Sequence, residues 1–166
     1  MRVDTKTLLQ TFEASQDTTE RTWLLTQLTE LPPEVQKMLF DLVVAGEEEP
    51  TTAAMAAKKL CELGDSSVQV SLKSQLKETL TVTGYSLFRP YLVRELLAWN
   101  DSKSTDLLVY LMDDWRVTQE VLREMSDAGR FNQELIDRAE AMLPIVTDKP
   151  SAEEMKYFLA RIQKKK

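Results

Sequence analysis

The side chains that carry most enzyme chemistry are scarce here, and their scarcity is informative. The sequence has no histidine and a single cysteine, Cys61. Without histidine, Ser-His-Asp and Cys-His machinery is excluded, as is a histidine-ligated zinc site. One cysteine permits neither an internal disulfide nor a thiolate metal cluster. Cys61 lies in an apolar helical pattern with no dense basic cluster to lower its pKa, so it reads as a small buried hydrophobe rather than a reactive thiol. What remains is carboxylates and cations. Asp106, Asp113 and Asp114 could be drawn as an oxygen-donor metal site. No loop gathers them, however, and Asp113 and Asp114 would diverge by about 100° on a helix. Glu47-Glu48-Glu49 reads as a solvated charge cluster favourable to the dipole of the helix that follows, not as a ligand set. No phosphate loop, dinucleotide glycine pattern, kinase signature or protease signature is present. The expectation is a non-enzymatic protein with no catalytic residues, no cofactor and no metal.

The residues suited to recognition are aromatics and arginines carried on helix ridges. On a helix over 88–99, Leu92, Val93, Leu96, Leu97 and Trp99 share one stripe by i, i+3, i+4 spacing, which leaves Tyr91, Arg94 and Glu95 on the other side. On a helix over 103–114, Leu107, Leu108, Leu111 and Met112 point inward, and Asp106, Tyr110, Asp113 and Asp114 form the outward stripe. These seven, Tyr91, Arg94, Glu95, Asp106, Tyr110, Asp113 and Asp114, are the candidate protein-binding residues. The alternative is a solvated helix face carrying two incidental tyrosines. Trp23 and Trp115 read as core or inter-helix anchors, and the methionines as packing residues.

Helix signals supply the frame that would position these groups. Asp17-Thr-Thr-Glu20 and Ser151-Ala-Glu-Glu154 match the capping box. Pro32-Pro33, Pro50 and Pro90 sit where proline suits a first helical turn. Gly46, Gly64 and Gly129 follow apolar runs, where a left-handed residue closes a helix. Together these signals predict ten helices, over 4–14, 17–30, 33–45, 50–63, 66–80, 88–99, 103–114, 116–127, 132–143 and 151–164. Strand signals are nearly absent; Val82 alone suggests one, with nothing nearby to pair. The chain of 166 residues is read as a single all-helical domain, residues 1–166. It comprises an N-terminal part, 1–46, helix pairs over 50–143 and a C-terminal helix over 151–166. The Gly46–Pro50 joint reads as an ordinary acidic loop, with a separate three-helix cap at 1–46 as the alternative.

Self-comparison adds an internal repeat. Lys58-Lys-Leu60-Cys-Glu-Leu63-Gly64-Asp65, followed by Leu72 and Leu76, returns 36 residues later as Arg94-Glu-Leu96-Leu-Ala-Trp99-Asn100-Asp101, followed by Leu108 and Met112. Asn at the Gly64 equivalent is the next best residue for a left-handed turn, and the Asp can cap the second helix. A weaker copy begins at Leu122, and a weaker one still at Leu25. The run Ala53-Ala-Met-Ala-Ala-Lys-Lys-Leu-Cys-Glu-Leu-Gly-Asp65 with Leu72 and Leu76 resembles a HEAT repeat, particularly the short bilin-lyase-type variety. The resemblance covers residues 50–80 and, in part, 88–114. It implies antiparallel helix pairs stacked as a short α-solenoid, and a partner bound along the surface lined by the second helix of each pair. Uneven repeat spacing and the missing mid-helix proline depart from that family and leave an irregular helical bundle open. A chromophore-lyase-like or other small-ligand role is permitted by the resemblance alone.

Charge distribution narrows the partner. The net formal charge is −6; residues 1–83 sum to −5 and residues 84–166 to −1, the second half holding seven of nine arginines. An acidic total disfavours nucleic acid, whose binding depends on phosphate neutralisation. A nucleic-acid role through Arg89, Arg94, Arg116, Arg123 and Arg130 stands as the alternative. No stretch approaches the roughly 18–20 apolar residues of a membrane span, and the N-terminal residues lack a signal-peptide core, so a cytoplasmic protein is expected. The leading expectation is an adaptor, scaffold or regulator that binds another protein.

Overall fold

A computed structural model describes residues 4–81 and 86–165. Val82 and most of the joint between Thr81 and Tyr85 lie outside the described residues. Among those described there are ten α-helices and one 3-10 turn, with no strand. The all-α expectation and the number of helices hold. The helices gather into two compact units, Met1–Leu92 and Val93–Lys166.

The first unit holds α1 (Thr5–Ala14), α2 (Thr18–Thr26), α3 (Pro33–Val44), α4 (Pro50–Leu63), α5 (Ser66–Leu80) and the start of α6 (Phe88–Trp99). Its centre is α4, which packs against α2, α3 and α5. Thr52, Ala53, Ala54, Ala56, Ala57, Leu60 and Cys61 are all fully buried. Small alanines on several sides of one helix let the neighbouring backbones approach closely, so Cys61 is a packing residue here. The buried lysine of α4 is held both by a neighbouring segment and by its own helix. Lys59, only 7% exposed, donates through Nζ to the Leu28 carbonyl at 3.1 Å and sits 3.5 Å from Glu62. A buried ammonium is tolerated because it is both hydrogen-bonded and paired.

Helix α2 stops at Thr26 rather than at residue 30, ahead of Pro32 and Pro33, which carry no amide N–H with which to extend it. The last amides of the helix, Gln27 and Leu28, reach back only three residues, to Leu24 and Leu25, a tightened final turn. The Leu28 carbonyl could take no amide from four residues on, because that residue is Pro32, and Lys59 supplies the donor.

Glu47-Glu48-Glu49 is a correction to the solvated-cluster reading. The Glu47 carboxylate accepts from Ser86 Oγ and from the Leu87 amide. Glu49 accepts from Arg21 at 2.8 and 3.3 Å and from Thr52 Oγ1 at 3.1 Å. Only Glu48 is exposed. The two outer glutamates are clamps across the unit.

The second unit continues α6 and adds α7 (Ser102–Leu111), α8 (Trp115–Ala128), α9 (Gln133–Met142), a 3-10 turn at Leu143–Ile145 and α10 (Lys149–Lys164). Within it α8 packs on α9 and α10, and α7 on α9. Each N-terminus has a side-chain cap: Asp101 for α7, Asp114 for α8, Asn132 for α9 and Asp148 for α10. Such caps contribute about 1 kcal/mol each. The capping boxes expected from sequence form differently. Asp17 caps α2, but Glu20 turns to Ser15 Oγ at 2.8 Å. Ser151 lies inside α10, and its hydroxyl bonds the Asp148 carboxylate. A complete box occurs instead at Asp101, where Ser104 Oγ accepts from the Asp101 amide.

Two of the three described glycines are present for space rather than handedness. Gly129 is left-handed, at φ 65°. Gly64 is extended, at φ −74° and ψ 146°, and a Cβ there would meet the Leu60 carbonyl oxygen and Val68 Cγ1, each at 2.4 Å. At Gly46 a Cβ would strike the Phe88 ring at 2.5 Å.

Candidate protein-binding face

The geometry of α7 follows from its stripe. Leu107, Leu108 and Leu111, with Met112 at the C-cap, are all at most 2% exposed. A helix so anchored must turn its opposite side outward, and Asp106 and Tyr110 are exposed there, Tyr110 to 37%. Asp106 precedes Tyr110 by one helical turn. Asp113 is also exposed, but α7 ends at Leu111, so it lies in the connecting turn rather than on the helix.

Asp114 is engaged elsewhere. It caps α8, accepting from the Arg116 amide at 3.0 Å, and takes the Arg116 guanidinium through Nε at 3.0 Å and Nη2 at 2.9 Å. The helix expected to run to 114 therefore stops early because Asp114 starts the next one.

On α6, Leu92, Val93, Leu96 and Leu97 are buried as the spacing requires, and Trp99 is half-buried. Tyr91 and Glu95 are half-buried, and Arg94 is exposed. Arg94 Nε lies 3.6 Å from Glu124 on α8, so this arginine has a structural partner within the second unit.

Arg89 and Arg123 are likewise held within the protein and, among the described residues, Arg130 is not. Arg89 is 6% exposed and donates to the Leu80 carbonyl at 3.4 Å. Arg123 pairs with Glu120 at 2.7 Å and with Glu154 at 2.6 Å. Partial burial opposes the charge on Arg123, but the hydrogen bond to Glu154 and the fields of Glu120 and Glu154 outweigh it and hold the guanidinium pKa above its ordinary value. Arg130 is exposed. No group of three or more Cys, Asp or Glu side chains among the described residues is placed to hold a metal ion, and no described helix is long and apolar enough to cross a membrane.

One expected anchor, Trp23, is exposed, while Trp115 is half-buried. Trp23 is 55% exposed, a correction to its assignment as an anchor. Its helical neighbours Thr19, Glu20, Thr26 and Gln27 are all polar, whereas Leu24, Leu25 and Leu28 form the buried stripe. A helical wheel of α2 carries that signal. Tyr157 on α10 is 58% exposed, with the Arg161 guanidinium 5.6 Å from its ring centre. Compared with known proteins, the chain matches no family model, no curated protein and no solved structure.

Proposed function

We propose that this chain is a non-enzymatic protein-interaction module, an adaptor, scaffold or regulator acting in the cytoplasm. The observation that carries the reading is Tyr110. It stands exposed on the wet side of a helix whose other side is buried, with Asp106 one turn before it and Asp113 just after it. A rigid amphipathic ring flanked by acids on a packed helix suits a partner surface that offers an apolar pocket edged by Lys or Arg. The resemblance to HEAT repeats points the same way.

The nucleic-acid alternative is weakened because Arg94, Arg116 and Arg123 already face carboxylates and Arg89 is buried. A thiol-based ligand role is weakened by the complete burial of Cys61.

The test is affinity capture from source extract with the wild type, with Tyr110→Ala and with Asp106→Asn/Asp113→Asn. A partner retained by the wild type and reduced about tenfold or more by Tyr110→Ala supports the reading. Equal retention by all three removes this face. A salt titration against duplex DNA and RNA decides the alternative, since phosphate-driven binding would appear at low salt and fall steeply with it.

A further inference from the structure

The first unit carries a groove of about 520 Å³, bounded by α1, α2 and α3. Phe12, Met38 and Leu42 form its apolar part, and Glu13, Glu34, Lys37 and Asp41 line its charged part. Arg21 also borders it, but its charge is already used. Its guanidinium is held by Glu49 and by the carbonyls of Phe12 and Ser15, and it lies 3.9 Å from the centre of the Phe12 ring. Lys37 is likewise paired with Asp41, at 3.2 Å. Glu13 and Glu34 have no ion-pair partner among the described residues. The groove therefore presents a net negative rim above an apolar floor.

Its size falls within the range of ligand sites, but small-molecule pockets are mostly apolar and enclose their ligand. This one is edged by side chains that stand largely in water: those of Lys37 and Asp41 are 81% and 68% exposed. Such a shape accepts part of a chain more readily than a compact molecule. Met38 adds an unbranched, polarisable side chain that can adjust to an irregular apolar occupant.

We infer that the groove among α1, α2 and α3 is a docking site for a basic amphipathic segment of another protein, which places an apolar side chain against Met38 and Leu42 and a Lys or Arg between Glu13 and Glu34. The inference rests on charge complementarity and on the groove itself, and is independent of the Tyr110 face.

The test uses the full chain labelled with 13C at its methionine methyl groups. The probe is a 12-residue helical peptide with leucine on one face and lysine on the other, compared with the same peptide bearing glutamate in place of lysine. The expected result is a saturable shift of the Met38 methyl with the lysine peptide, no shift of the fully buried Met112 and Met155, and no binding of the glutamate peptide. Glu13→Gln/Glu34→Gln should weaken the lysine peptide about fivefold, the size expected from two exposed ion pairs lost together, and should flatten its salt dependence. Glu48→Gln/Glu78→Gln, in a second acidic concavity of the same unit, should leave it unchanged.

No Met38 shift overturns the proposal. So does equal weakening by the two glutamine pairs, which would mean unspecific attraction to an acidic protein. A Met38 shift that grows with protein concentration and needs no peptide would make a second copy of the chain the occupant, and overturns the proposal equally.

Discussion

The turns at Gly64-Asp65 and Asn100-Asp101 are spelled nearly alike and lie 36 residues apart, yet they are built on different physics. Asn100 is left-handed, at φ 48°, and its side-chain oxygen accepts from Asn132 Nδ2 at 3.1 Å. Gly64 is extended, and is glycine because Leu60 and Val68 leave no room for a Cβ. The Asp that follows also works differently. Asp65 accepts from the Val68 amide, while Asp101 accepts from Lys103 and closes a reciprocal box with Ser104. A repeat in residue types therefore does not guarantee a repeat in backbone. Either Gly or Asn meets the conformational demand at 100, whereas only Gly meets the steric demand at 64, and the surroundings say which applies.

The sharpest way to break this comparison is Gly64→Ala. If crowding is the reason for the glycine, the variant should lose about 3 kcal/mol in denaturant unfolding, at the upper end of overpacking effects. A change under about 0.5 kcal/mol would show that α4 and α5 yield easily there, as an ordinary surface substitution would.

The next effect concerns Lys59, whose counterpart in the second copy is Glu95. Lys59→Ala should destabilise by about 2 kcal/mol, because the buried Leu28 carbonyl loses a charged donor. Glu95→Ala, at a half-buried position, should stay within about 0.5 kcal/mol. Chemical denaturation of both variants side by side reads the difference.

A smaller effect is expected at Asn100. Asn100→Ala should lose about 1.5 kcal/mol, from left-handed strain and the lost Asn132 bond. Asn100→Gly should lose no more than about 0.5–1 kcal/mol, since it also gives up the Asn132 bond but keeps the left-handed turn without strain. If Ala and Gly are equally tolerated, left-handedness is not what selects Asn there.

The smallest effect is at a cap outside both turns. The hydroxyl of Thr7 and the amides of Lys6 and Thr7 hydrogen-bond Asp4 and hold its carboxyl below the ordinary value of 3.8. A carboxylate with a lowered folded pKa adds stability above its unfolded value, and that stability is lost as pH falls through the folded one. The protection of the Lys6 and Thr7 amides, taken relative to intrinsic exchange at each pH, should therefore fall as the solution is acidified below pH 3.8, ahead of the interior of α4. In Asp4→Asn that acid dependence should flatten.

The helices were legible in the residues because their starts are written locally. Pro33 and Pro50 occupy first turns, and Asp17, Asp65, Asp101 and Asn132 cap from their own sequence positions. What failed to show was set by distant partners. The burial of Lys59 depends on the Leu28 carbonyl just beyond α2, and the need for glycine at 64 on the bulk of Val68. The roles of Glu47 and Glu49 depend on Ser86 and Arg21. For the candidate face, the alternation of Asp106 and Tyr110 with buried leucines was readable from period alone. The commitment of Asp114 to the next helix, and of Arg94 to Glu124, was not, because both depend on where the following helix begins and packs.

Helix α4 also bears on how this chain can change over time. A helix with one wet side can absorb an inserted or deleted residue by rotating and exchanging some exposed positions for others. In α4, a one-residue insertion near Thr52 would rotate each later side chain by about 100°. It would turn Lys59 away from Leu28 and drive leucine into slots that fit alanine. Drift along this segment should therefore run through small-for-small exchanges such as Ala to Ser or Gly, with length held fixed, while α7 and α10 are free to vary on their solvent sides.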